Sequence, residues 1–143
     1  MTMTLTLKQA LECIEKGIAK ARELGFAVSI AVVDEAGHLM ACHRMDGALW
    51  VTPEIARAKA NASAAFRAST QELESRFSGA RQLFASNVAA LKDYQFAFGK
   101  GAIPLVEDGK IVGAVGVSGA VPADNDHTIA DAAAGHPVIP KSH

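Results

Sequence analysis

The stretch Ala31-Val-Val-Asp-Glu-Ala-Gly-His-Leu-Met-Ala-Cys-His-Arg-Met-Asp-Gly-Ala48 decides the fold class. Ala27 to Val33 is apolar at nearly every position, as a strand covered on both faces should be, and Asp34 and Gly37 are placed as in a type I turn. The chain therefore doubles back as a hairpin, with Leu39 to Met45 as its second strand. At the end of that strand, Arg44 and Asp46 sit beside Gly47. A charge there needs a partner or water, and a glycine permits close approach of the backbone to another group.

Outward from the hairpin, helices and a second hairpin alternate. Before it, Thr6-Leu-Lys-Gln9 has capping-box spacing, and Leu7, Leu11, Ile14, Ile18 and Ala21 mark an amphipathic helix ending near Gly25. After it, Thr52-Pro53 reads as an N-cap with proline at the first helical position, and alanine dominates through Phe66. Ser69-Thr-Gln-Glu72 offers another capping box, and Leu83, Phe84, Val88 and Leu91 predict a helix over Arg81 to Leu91. From Tyr94, short apolar runs broken by Gly99, Gly101 and Pro104 lead into Leu105-Val106, an Asp108-Gly109 turn, and Ile111 to Val117. Asp124 is placed to cap a last helix through Ala134, with Gly135 as its stop. Paired hairpins with helices before, between and after them predict an antiparallel α+β domain, not a doubly wound parallel sheet.

At 143 residues the chain has the length of one domain, spanning 1–143. Fourteen basic against fifteen acidic side chains, with no run of like charge, give nothing to steer it to nucleic acid or a membrane surface. The first residues lack a basic segment followed by a long apolar stretch, so the expected compartment is the cytoplasm. In that reducing setting Cys13 and Cys42 are expected to be buried thiols, not a disulfide.

Arg44 and Asp46 are two residues apart, so a continuous strand would project both to one face, either as an ion pair or as a grip on one ligand. The guanidinium suits a carboxylate. Asp34 closes the first strand, and its expected role is to accept backbone hydrogen bonds in the turn. No two of His38, His43, His127, His136 and His143 have the spacing of a metal pair on a predicted helix or strand. Alternation would put His43 on the face opposite Arg44. His127 follows Asp124-Asn-Asp126 in the first turn of the last helix. The glycines of Gly113-Ala-Val-Gly-Val-Ser-Gly119 have the wrong spacing for a dinucleotide fingerprint, and no nucleophile elbow surrounds Ser118. Ser118 is expected instead to end its strand and line the same cavity.

Three blocks together resemble the GlcG/HbpS family, small bacterial proteins that include haem-binding members and a domain appended to some corrinoid adenosyltransferases. They are the hairpin ending in Arg44-Met-Asp-Gly47, the alanine-rich helix with Ala56, Lys59 and Ala60, and Gly99 to Gly119 with its glycine-proline segment and terminal Gly-Val-Ser-Gly. The resemblance implies a profilin-like five-stranded antiparallel sheet with helices packed on its faces. It implies a pocket near the strand ends, partly contributed by a neighbouring subunit, with haem or a related tetrapyrrole as the most concrete ligand. Arg44, Asp46, Gly47, Lys59 and Ser118 would line that pocket, with Arg44 and Lys59 on the propionates. No single position maps as the iron's axial ligand, leaving His43, His127 and His38 as candidates. The other reading is a catabolic enzyme acting on a small carboxylate or carbonyl compound, with Arg44 as anchor and Asp46 or Asp34 as acid or base. A homo-oligomer, either a dimer or an assembly of dimers, is expected in both.

Overall fold

Side-chain alternation along two interior strands sets the layers. In the computed structural model, which describes residues 4–135, Ser29–Asp34 (β1) pairs with Leu39–Arg44 (β2) on one side and Lys110–Ser118 (β4) on the other. Ala102–Glu107 (β3) completes an antiparallel sheet of order β2-β1-β4-β3. Pro104, which has no N–H to give a ladder, lies in edge strand β3.

Ile30, Val32, Val115 and Val117 face helices Leu7–Leu24 (α1) and Ala123–Ala134 (α5), burying Ala10, Ile14, Ala21, Ile129, Ala130 and Ala133. The alternate set, Val33 and Ala114, packs on Ala60 and Ala64 of Thr52–Phe66 (α2) on the opposite face. Here the alanine run acquires its meaning. A methyl group on Gly116 would collide with the Ala56 carbonyl oxygen and lie 2.9 Å from the Ala60 nitrogen. Backbone thus meets backbone between α2 and β4, which only small residues permit.

The expected α+β class is correct, but the sheet has four strands among the described residues, not five. The apolar run after Tyr94 does not join it. Residues 94–98 instead cross the outer side of α2, held by one backbone bond from Ala97 N to Ala58 O at 3.2 Å. Phe96 and Phe98 leave the sheet's hydrogen bonding to join Phe66 and Phe77, with ring centroids 5.1–6.2 Å apart. Between α2 and this segment lie Thr70–Arg76 (α3), a 3-10 turn at Gly79–Arg81, and Gln82–Ala89 (α4).

The capping box at Thr6 and Gln9 forms as read, and Gly25 ends α1 in the left-handed conformation. Two other caps differ. Thr52 opens α2 from inside, its hydroxyl bonding the Leu49 carbonyl at 2.7 Å and the Ser29 hydroxyl at 2.8 Å. Asp124 does not cap α5, because its carboxylate is 2.7 Å from Lys100 Nζ. His136 and His143 lie outside the described residues.

Candidate functional site

Register brings several of the singled-out residues to one end of the sheet. Ser29 stands opposite Arg44 on one side and Ser118 on the other, so all three share a rank on the α2 face. Polar contacts between elements fill that end. Lys59 of α2 reaches across the end of β4, its Nζ 3.0 Å from both the Val117 carbonyl oxygen and Asp126 Oδ2 of α5. Asp126 Oδ1 accepts the Ala120 N–H at 2.9 Å, and the two side chains are 8% and 4% exposed. Gly101 completes the enclosure, since a methyl there would lie 2.9 Å from Lys59 Nζ. Burial pushes the Asp126 carboxyl above its ordinary range, against the opposing pull of Lys59 and of the Ala120 and Gly119 N–H groups.

Asp34 lies at the other end. Its Oδ1 accepts the N–H groups of Ala36 and His38, both at 2.9 Å, with His38 Nδ1 3.5 Å from Oδ2. Gly37 supplies the left-handed backbone of that turn. Five residues of strand separate Asp34 from the rank of Ser29 and Arg44, about 17 Å at 3.3 Å per residue. One small substrate does not reach both Arg44 and Asp34.

β2 stops at Arg44, so Asp46 falls in the following turn with Gly47, whose φ is 91°. The expected one-face pairing of Arg44 and Asp46 is absent, because the chain leaves the strand between them. Arg44 Nη1 donates instead to the Ala48 carbonyl at 3.1 Å, bracing the loop. His127 is partly buried on α5, its Nε2 3.8 Å from Asp131 Oδ2 and its Nδ1 enclosed without a partner. Among the described residues no group of three His, Cys, Asp or Glu side chains is placed to hold a metal ion, and no helix is long and apolar enough to cross a membrane.

Beside β2 runs a groove of about 680 Å³, lined by Ile18 and Arg22 of α1 and by Cys42 through Asp46. Three residues in it carry soft or nitrogen donors, and their surroundings separate them. Burial raises the Cys42 thiol above its ordinary pKa, keeping it protonated. The Met45 sulfur accepts the Val28 N–H at 3.4 Å. His43 stands opposite Ile30, on the α1 side of the edge strand, and is exposed. Arg22, in the last turn of α1, is exposed on the same side. Sequence reasoning passed over Arg22 and Ile18, whose only mark was a place on an amphipathic helix.

The family of haem-degrading HbpS-like proteins matches residues 5–135. The chain belongs to the HbpS-like family. Protein GlcG of Escherichia coli strain K12 is 36% identical over 114 residues, 80% of this chain and 81% of that one. The crystal structure of a double mutant of Streptomyces reticuli HbpS is 30% identical, with a TM-score of 0.82 over 94% of this chain and 87% of that chain. A PduOC:heme complex is 25% identical, again at TM-score 0.82, covering 92% of this chain and 94% of the other.

Proposed function

We propose that this protein binds haem or a related tetrapyrrole in the groove beside β2. The observation that carries the reading is the donor set: an exposed imidazole, His43, in one groove with Arg22 of α1. The residues fit the group. Neutral imidazole is a common iron ligand, and guanidinium matches propionate carboxylates in a bidentate fork. His43 would hold the iron, Ile18 would pack on the ring, and Arg22 would meet a propionate, while Arg44 braces the loop at the groove's end through the Ala48 carbonyl. Bound haem would supply a redox-active iron, while this chain's residues bind and orient it. The related PduOC:heme complex and HbpS support the ligand class.

Lys59 and Ser118 act behind this groove, not in it. Lys59 locks α2 to α5, and Ser118 extends the rank that carries Arg44. Asp46 and Gly47 shape the turn that forms the groove's far end. The groove is open along one side, and Leu49 and Trp50, 70% and 77% exposed, come three and four residues after Asp46 in the chain. A porphyrin needs more apolar cover than one open groove gives, so a second copy of this chain closes it through Leu49 and Trp50.

Haemin titration followed at the Soret band tests the reading. Wild type should saturate, His43→Ala should alter the band and weaken binding, and Arg22→Gln should weaken binding about 10- to 150-fold, as for one charged hydrogen bond. Arg44→Lys should weaken it less, since Arg44 is shared with the Ala48 carbonyl. A wild-type band and affinity in both His43→Ala and Arg22→Gln would place the ligand elsewhere.

A further inference from the structure

The sheet has two edges, and the chain treats them differently. On β3, Val117 N bonds Gly101 O at 2.8 Å, so antiparallel alternation turns Ile103 and Leu105 towards β4 and the backbone of Ala102 and Pro104 outward. Neither outward residue has a donor to give. The Ala102 N–H is already bonded to the Thr70 hydroxyl at 2.9 Å, and proline has no N–H. A further strand therefore finds that edge closed.

The β2 edge is the reverse. Met45 N bonds Val28 O at 3.0 Å, so alternation turns the backbone of His43 and Ala41 towards β1, and the N–H and C=O groups of Cys42 and Arg44 point away from it. Among the described residues, no other segment bonds those groups. No proline or lysine interrupts Leu39–Arg44. Such a strand is a template for another strand.

The two ends of β2 say which strand fits. Leu39 at its start is exposed, and the loop beyond its end carries the exposed Leu49 and Trp50. Antiparallel pairing lays the start of one strand beside the end of the other. A second β2 thus joins these apolar groups to one another at both ends, whereas an unrelated extended peptide matches only the backbone.

We propose that two copies of this chain pair antiparallel through β2, with the two-fold axis at Cys42, doubling the four-stranded sheet to eight strands. Cys42 is the middle residue of Met40 to Arg44, so this register gives the longest overlap. Cys42 exchanges two backbone bonds with Cys42 of the second copy, and Arg44 stands opposite that copy's Met40. The closed β3 edge ends the sheet on each side, so the assembly is a two-fold dimer and not a filament. His43 comes to stand opposite Ala41 of the second copy, which extends the wall of the groove past β2. This geometry deepens the reading of the groove as one that a second copy closes, and rests on it for that role.

Amide exchange, cross-linking and mass test the pairing. The Cys42 and Arg44 amides should exchange about 100-fold or more slowly than exposed amides, since only a second copy protects them. Diamide, which takes up the two thiol hydrogens, should link the copies through Cys42, because opposed residues of such a pair have Cα atoms about 5.5 Å apart, within disulfide reach. Cys13→Ser should still link and Cys42→Ser should not, while remaining a dimer in light scattering. Cys42→Lys sets like charges opposite each other and should shift the mass towards monomer. The proposal is overturned by exposed-rate exchange at Cys42 and Arg44, by a link that needs Cys13 or does not form through Cys42, or by a wild-type mass of one chain. A dimer with protected amides that takes up no haemin would sink the tetrapyrrole reading and leave the pairing standing; haemin uptake by a monomer would do the opposite.

Discussion

Replacing Lys59 by methionine should destabilise the protein more than any exposed substitution, because it strands a buried carboxylate. Lys59 Nζ is the only cation within 4.0 Å of Asp126 among the described residues, and both side chains are over nine-tenths buried. Removing one partner of such a pair costs about 3–5 kcal/mol, against a total of about 5–15 kcal/mol for a domain. The melting temperature should fall by about 6–20 °C at this chain length. Asp126 titrates above its ordinary 3.8 in the folded state, chiefly through burial. A carboxyl with a raised folded pKa binds protons better folded than unfolded, so its contribution to stability declines as pH rises from 3.8 through the folded value. Losing Lys59 raises it further. The penalty of Lys59→Met should therefore be smallest below 3.8 and grow as pH rises above it. Urea unfolding of wild type, Lys59→Met and Lys59→Met/Asp126→Asn measures it. The double variant keeps an acceptor for Ala120 N–H and removes the stranded charge, so it should regain most of the loss. A neutral-pH loss under about 1 kcal/mol, or a double variant as weak as the single, would refute the charge argument.

Gly116→Ala should lower stability by about 3 kcal/mol, the upper end of overpacking costs, since the methyl collides with α2 backbone and no side chain can yield; thermal unfolding at an unchanged midpoint would remove the close contact as a cause. Trp50→Glu should shift the protein from dimer towards monomer in light scattering and weaken haemin binding with it, Trp50 being 77% exposed four residues past Asp46 of the groove; an unchanged mass with unchanged haemin affinity would show that copies do not meet there.

What the sequence made legible was the part governed by local chemistry and period. The Asp34–Gly37 and Asp108–Gly109 turns, the capping box at Thr6, and the unbroken apolar run of the first strand all express short-range rules, and the structure follows them. The extent of the sheet was not local. The segment at Tyr94 to Phe98 has the composition of a strand, but Phe66 and Phe77 are displayed on helices and offer its rings an aromatic layer outside α2, so it leaves the sheet. The site divided along the same line. Arg44 and His43 were visible because a charged strand end is locally unusual. Arg22 was not, because an exposed arginine on a helix looks like any solvated charge until the fold sets it beside a groove. Lys59 shows the converse: a lysine among alanines drew notice as a ligand contact, and its burial against Asp126 makes it the bolt joining two layers on opposite faces of the sheet. That bolt fixes α2, whose inner face rests on Gly116. Stability of the sheet end and the seating of α2 on β4 are thus one mechanical problem, and a variant that loosens the Lys59 pair should lower the melting temperature before it weakens haemin, whose groove is built on β2 and α1.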